Sequence, residues 1–186
     1  MSLTILSPPA AEPVTLADVK DHLRVTHSEE DALIAGIAVA ARQSVEARGA
    51  IALIAQSWRL TLDKVPEDTI ALPLTPVLSV DAVKVVDRNG SAQLVDPGSY
   101  DASLGTPGRI RRAGIWPRPA TAIDGVHIDF TAGWSDAASV PDDLKQAIKL
   151  LAAGFYENRE AAAEERIYNI PGTIDTLIAP YRQVRL

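Results

Sequence analysis

The hydrophobic period of the chain changes twice, and that constrains its fold more than any single motif. Apolar residues recur at helical spacing up to Arg48, at strand spacing from Ser57 to Trp134, and at helical spacing again after Pro141. In the middle stretch Pro66, Pro73, Pro76, Pro97, Pro107, Pro117 and Pro119 rule out a long helix, because proline removes a backbone donor and clashes with the preceding turn. Two helical segments, a proline-punctuated β region and a returning helix are therefore expected in that order.

The local signals agree. Residues 1–13, rich in Pro and Ala, read as an extended lead-in. Thr15-Leu-Ala-Asp18 has the form of a capping box, so a helix over Leu16–Arg24 is predicted, with Leu16, Val19 and Leu23 turned inward. Ser28-Glu-Glu-Asp31 starts a second helix, placing acids where the helix N-terminus is positive. It runs to about Arg48, with Gly49 as the residue beyond its end. Leu33, Ile34, Ile37, Ala41 and Val45 form its stripe, and Ala35, Ala38, Ala40 and Ala41 permit close approach of another helix. Strands are predicted at Trp58–Asp63, Thr69–Leu72, Val80–Asp87, Ala92–Val95, Arg109–Arg111 and Val126–Thr131, with Asn89-Gly90 as a type I′ hairpin turn. Helical spacing returns with Pro141, Asp142 and Asp143 in the first turn and Leu144, Ile148, Leu151 and Phe155 along one face.

The N-terminal helix pair needs the returning helix to cover its apolar stripe. The expected fold is thus α+β: a helical bundle from residues 1–56 and 135–169, an inserted, mostly antiparallel β domain at 57–134, and a C-terminal arm at 170–186. In that arm Ile170-Pro-Gly172 interrupts the helix, and Ile174, Leu177, Ile178 and Tyr181 form a short apolar piece beside Arg182 and Arg185. So short a helix is marginal alone, and it must pack on its own domain or on a partner.

Chemistry is hard to find. The chain of 186 residues has no Cys, which excludes disulfides and thiolate chemistry. His22, His27 and His127 show no metal-binding spacing, and there is no G-x-S-x-G elbow. Gly105-Thr-Pro-Gly108 lacks the Lys and following helix of a phosphate-binding loop. No cofactor, metal or catalytic residue is expected, and no enzyme. No apolar run approaches the roughly 20 residues that cross a bilayer, and the start lacks the basic region of a signal peptide, so no membrane role is expected. Net charge is −6. Against it stand Arg109, Arg111, Arg112 and Arg118, with no acid from Ala102 to Ala120. They are either a solvated hairpin paired with nearby carboxylates or a contact for phosphate or an acidic partner. Trp58, Trp116 and Trp134 read as core fillers, with Trp116 anchoring a turn beside Pro117. Tyr156, Asn158 and Arg159 form either a polar helix end or a contact with an adjacent subunit.

Several segments carry a resemblance. They are Val19-Lys-Asp-His-Leu-Arg24, Glu29-Glu-Asp31, Ala40-Ala-Arg42 with Val45-Glu46, Gln56-Ser-Trp-Arg-Leu-Thr-Leu-Asp63 and Leu72-Pro-Leu-Thr-Pro-Val-Leu-Ser-Val80. Trp116-Pro117, Phe130-Thr-Ala-Gly-Trp134, Val140-Pro-Asp-Asp-Leu-Lys145, Tyr156-Glu-Asn-Arg159 and Ile170-Pro171 continue the series. In this order, over nearly the whole chain, they resemble the head–tail connector (adaptor) proteins of tailed bacteriophages and gene transfer agents, in the long form with an inserted β domain. Gly49-Ala-Ile-Ala-Leu-Ile54 departs from that pattern, being more apolar than the expected Thr-Gly-Arg.

The resemblance implies a structural virion protein at the head–tail interface of a phage or phage-like particle, assembled in the bacterial cytoplasm. It implies a ring of commonly twelve copies between the portal protein and a stopper or tail-terminator protein, extending a channel through which DNA passes without specific binding. It assigns portal docking to Ile170, Pro171, Ile174, Leu177, Ile178, Tyr181, Arg182 and Arg185. Deleting residues 171–186 is then expected to spare the fold and abolish docking. Two rival functions are a nucleic-acid-binding module using Arg109, Arg111, Arg112 and Trp116, and a small hydrolase with an unrecognised carboxylate site.

Overall fold

A computed structural model of the chain describes residues 1–67, 69–158 and 172–182. The protein is α+β, with four α-helices and eight strands in two antiparallel sheets among the described residues. It divides into two compact units, Met1–Ala10 with Ala55–Trp134 and Ala11–Ile54 with Ser135–Leu186.

The first unit holds the strands. Its larger sheet has the order β1-β2-β8-β4-β5, formed by β1 (Ser2–Ser7), β2 (Gln56–Leu62), β8 (Val126–Ala132), β4 (Val77–Val86) and β5 (Ala92–Leu94). A smaller sheet has the order β3-β7-β6, from β3 (Ile70–Ala71), β7 (Arg109–Arg112) and β6 (Tyr100–Ser103). In the larger sheet β8 lies at the centre, paired over its whole length with β2. The alternation read in the sequence becomes two faces. Leu60, Ile128 and Val83 stand opposite one another and are fully buried; one residue along, Arg59, Asp129 and Ala82 occupy the other face.

Two strands escaped the sequence reading. Residues 1–13, expected as a lead-in, instead begin with β1, which pairs with β2 from Ser2↔Thr61 to Ser7↔Ser57. Ser2, Leu3, Thr4 and Ile5 alternate polar and apolar, a strand signal too short to stand out before the prolines that follow. The strand β6 is exposed and follows a short 3₁₀ turn, Pro97–Ser99, so no buried face marked it. The Asn89-Gly90 hairpin also differs. Only Gly90 has positive φ, at 78°, whereas a type I′ turn needs two such residues. The loop is one residue wider, closed by the Asp87 N–H to the Ser91 carbonyl at 2.9 Å, and the Asp87 carboxylate accepts the N–H groups of Asn89 and Ser91. An acid that hydrogen-bonds the loop backbone overrode the dipeptide preference.

The second unit holds the helices α1 (Leu16–Leu23), α2 (Asp31–Gly49), α3 (Asp142–Glu157) and α4 (Gly172–Ile178). The capping box of α1 is present, with the Asp18 N–H donating to Thr15 Oγ1 at 3.1 Å and the Thr15 N–H to Asp18 Oδ2 at 2.9 Å. Val19 is buried, and Leu16 and Leu23 are half-buried. Along α2 the buried stripe is Ile34, Ala38, Ala41, Val45 and Gly49; Leu33 falls outside it, on the solvent side. The face of α3 is Leu144, Ala147, Ile148, Leu151 and Ala152, all fully buried, with Phe155 half-buried. The helix α3 packs on α2 and on α4. No described helix is long and apolar enough to cross a membrane.

One charged residue interrupts the stripe of α2. Arg42 is buried, its Nε donating to Glu12 Oε2 at 2.8 Å and its Nη1 to Glu46 Oε2 at 2.6 Å. Glu46 in turn accepts the Leu53 N–H at 2.9 Å, holding the apolar segment after the helix, where Ile51, Ala52, Leu53 and Ile54 are all buried. The unusually apolar junction is therefore core, fastened through a satisfied ion pair.

At the end of α2 the structure corrects the expectation that Gly49 lies beyond the helix. Gly49 stays helical, and Ala50 takes the left-handed conformation, with φ 51°. Gly49 is required for space instead: a Cβ there would lie 3.0 Å from Ile51 Cδ1 and 3.1 Å from Ile178 Cγ2. Because a Cβ disfavours the left-handed region, Ala50→Gly is expected to raise stability by about 0.5–1 kcal/mol. Gly49→Ala should lower it. Urea unfolding of the two variants checks both signs.

Candidate interaction surfaces

Three surfaces come from the residues singled out in the sequence. The first is the C-terminal arm. Helix α4 continues into a 3₁₀ turn, Ala179–Tyr181. Ile174 and Ile178, four residues apart, are fully buried; Leu177 and Tyr181 are half-buried and Arg182 is exposed. The arm is also tied by charge. Arg182 Nη2 donates to Asp175 Oδ1 at 2.7 Å and its Nε to the Arg48 carbonyl at 3.2 Å, while Arg48 Nη1 lies 3.7 Å from the same Asp175 oxygen. Burial, and then Asp143, push the Tyr181 hydroxyl pKa up.

Residues 172–182 therefore pack on their own helices. The expectation that removing residues 171–186 spares the fold is corrected accordingly, since that deletion takes two fully buried isoleucines from the core. Ile170, Pro171 and Arg185 lie outside the described residues.

The second surface is the end of α3. Tyr156, half-buried, donates its hydroxyl to Glu30 Oε2 just before α2. Asn158 is exposed, and its Nδ2 donates to the Gly154 carbonyl at 2.8 Å, closing the last turn. Arg159 lies outside the described residues. Tyr156 thus links two helices of its own unit.

The third surface is the arginine hairpin. Strand β7 alternates, placing Arg109 and Arg111 on one face and Ile110 and Arg112 on the other; only Ile110 is buried. Arg111 meets Asp101 at 3.3 Å, an open pair in which both side chains are about two-thirds exposed. For Arg109, Arg112 and Arg118 no ion pair or hydrogen bond of the side chain exists among the described residues. The pairing expected of a plain solvated hairpin holds for one arginine of four.

Beside them Trp116 is 4 % exposed, its Nε1 donates to the Ser99 carbonyl at 2.9 Å, and its ring stands edge-on to Tyr100 with centroids 6.2 Å apart. Trp116 is the turn anchor read from the sequence. Buried in this way, it offers no face for stacking a base, which removes one of the residues that a nucleic-acid module would use. With Trp116 turned inward, the preceding Ile115 projects, 95 % exposed. Arg112, Arg118, Ile115, Pro117, Val65 and Glu67 line a cleft of about 590 Å³.

A further tight charge cluster lies elsewhere and was not singled out in the sequence. Asp129, buried at the centre of β8, accepts Arg59 Nε and Nη2 at 2.6 and 2.8 Å and Lys84 Nζ at 2.8 Å. Burial raises its pKa, but the hydrogen bonds from Arg59 and Lys84 outweigh that and hold it below the usual carboxylate range. Burial, then Arg59, pushes neighbouring His127 down, toward the neutral form. Only pairing across strands brings these groups together, and their spacing in the sequence carries no sign of it. The cluster is a saturated clamp across three strands. Among the described residues no group of three or more His, Asp or Glu could hold a metal ion.

A depressed folded pKa stabilises the protein above the unfolded carboxylate value of about 4 and is lost as pH falls through the folded value. Asp129→Ala is therefore expected to cost about 1–3 kcal/mol at neutral pH, leaving two cations unpaired, and to flatten the loss of stability on acidification. Urea unfolding of variant and wild type at neutral and acidic pH measures both effects.

The profile of the head completion protein family matches residues 12–184. Among solved structures, a chain from the virion of a native gene transfer agent particle superposes with TM-score 0.83 at 32 % identity, covering 100 % of this chain and 97 % of that one. Chains from the neck of a native particle computed with C12 symmetry (TM-score 0.81, 32 % identity) and of an empty particle computed with C6 symmetry (TM-score 0.83, 30 % identity) match over the same shares. No curated protein matches.

Proposed function

This chain belongs to the head completion protein family, and from that premise we propose that it is a structural adaptor in the neck of a phage-like particle. In this role it forms a ring beneath the portal protein, extends the DNA channel and offers a platform to a stopper or tail-terminator protein. The observation that carries the proposal is likeness over the full length, at 32 % identity, to a chain of a neck computed with C12 symmetry. Twelve copies follow as the proposed ring. The helices form the bundle that supplies the body of each subunit, and Asn158 and Arg159 face the next copy beside Tyr156, whose hydroxyl stays bound to Glu30 of its own unit. The β unit faces a neighbouring ring. A mildly acidic chain suits a channel through which DNA slides, since each added phosphate–cation contact would retard it.

The packing of the arm refines how the portal is met. Ile174 and Ile178 serve as anchors to their own subunit. Docking falls to what remains outward, Leu177, Tyr181 and Arg182, together with Ile170, Pro171 and Arg185. A preformed segment, as residues 172–182 are, is entropically cheaper to dock than one that must order on binding.

The test separates anchor from contact. Arg182→Glu is expected to change the thermal unfolding midpoint little, because exposed ion pairs contribute about 0–1 kcal/mol. Capture of the chain by immobilised portal protein should fall by more than about tenfold, as for loss of a contact hot spot. Unchanged capture contradicts the docking role of the arm.

A further inference from the structure

We propose that the cleft between Arg112 and Arg118 receives an acidic surface of a second copy of this chain, on the helical unit of the next subunit in the ring. The inference rests on the ring proposed above and supplies one half of its subunit contact. A closed ring needs two unlike surfaces per subunit, because each copy meets its neighbours head to tail.

The cleft has the make-up of such a surface. Arg112 and Arg118 have no side-chain partner among the described residues, and Ile115 at its rim is 95 % exposed. Arginine beside a projecting apolar residue is the composition of protein contacts, where the guanidinium pairs with carboxylate and the apolar group fills a hollow. Phosphate recognition fits less well. Arg109 and Arg111 leave β7 on the face opposite Arg112, so the four arginines form no single track. The unit that holds them carries 8 basic and 9 acidic residues, not a basic footprint.

The complementary charge is on the other unit, with 10 basic and 15 acidic residues, a net of −5. Some of its acids are spare. Asp21 and Glu29 are exposed, with no side-chain partner among the described residues. Asp142, whose side chain is fully exposed, begins α3 at the end opposite Tyr156, the partner of Glu30, and lies too far away to share a surface with Glu29. Carboxylates already committed within the unit, such as Glu46 and Asp175, are excluded on that ground.

A charge swap tests the pairing. Self-association of the full chain is followed by sedimentation velocity at rising concentration and low salt. The double variant R112E/R118E, and separately the double variant D21K/E29K, should each associate more than about tenfold more weakly than wild type. R112A/R118A, which adds no repulsion, should show a smaller loss of the same sign. Mixing the two charge-reversed variants should restore association, because each then offers the other an opposite charge. All substitutions are of exposed side chains, and unchanged circular dichroism and unfolding midpoints confirm the fold. Wild-type association that survives in R112E/R118E overturns the cleft contact and leaves the ring standing. A mixture that stays apart overturns it as well. A wild-type chain that remains monomeric at every soluble concentration also overturns it, and the ring itself is then decided on the particle. Retention of wild type but not R112E/R118E on a short DNA duplex, with association unchanged, reassigns the cleft to phosphate.

Discussion

Two isoleucines, Ile174 and Ile178, fix what the C-terminal arm is able to do. Both are fully buried, and Gly49 leaves room for Ile178 at the end of α2. A seven-residue helix has little stability in isolation, since its nucleation cost is spread over few hydrogen bonds. Burying each isoleucine contributes about 1.5–3 kcal/mol, enough to hold such a piece on a larger helix pair. Arg182, Asp175 and Arg48 add a small, solvent-screened increment. Position comes from apolar packing, and the charges set orientation. The arm is thus part of the helical core on one side and a surface on the other, and in the proposed adaptor that division lets one segment be both anchored and recognised.

The β unit solves a related problem by different means. Strand β8 has neighbours on both sides, and its register is fixed because a one-residue slip would move Ile128 and Phe130 out of the core. On the opposite face Asp129 is held by cations from both neighbouring strands. Removing either cation weakens the clamp, whereas a slip breaks all of it. In the proposed adaptor, where this unit faces another ring, such fixed pairing leaves little ordering to occur on binding. The projecting Ile115 has the same character: it is pushed outward because Trp116 is locked inward by its hydrogen bond to Ser99.

Much of this was legible in the residues. The periods of α2 and α3, the capping box of α1 and most strands of the β unit follow from local patterns. Those patterns reflect burial on one face, which a single segment already records. What escaped depends on distant parts of the chain. The alternation of Ser2 to Ile5 was present, but only pairing with β2 makes it a strand. The burial of Arg42 was not read from the sequence, because one of its partners, Glu12, is thirty residues away. The Asp129 clamp joins residues 70 and 45 positions apart, and no spacing rule reaches that far. The interaction surfaces were legible as composition, in the arginines without acids and the apolar arm. Which side of each is spent internally was not, because that depends on the packing of α4 and the turn around Trp116.

The central claim is that this chain works as a fixed part of a neck, with its arm seated on its own subunit while the outer side meets the portal. The most direct measurement is a reconstruction of the neck from purified particles of the organism that encodes it, at a resolution that shows side chains. Twelve copies beneath the portal are expected, with Ile174 and Ile178 still packed on the helices of their own subunit and Arg182 at the portal boundary. Particles that lack the chain, or a ring in which those isoleucines have left their own subunit to enter the portal, would contradict it.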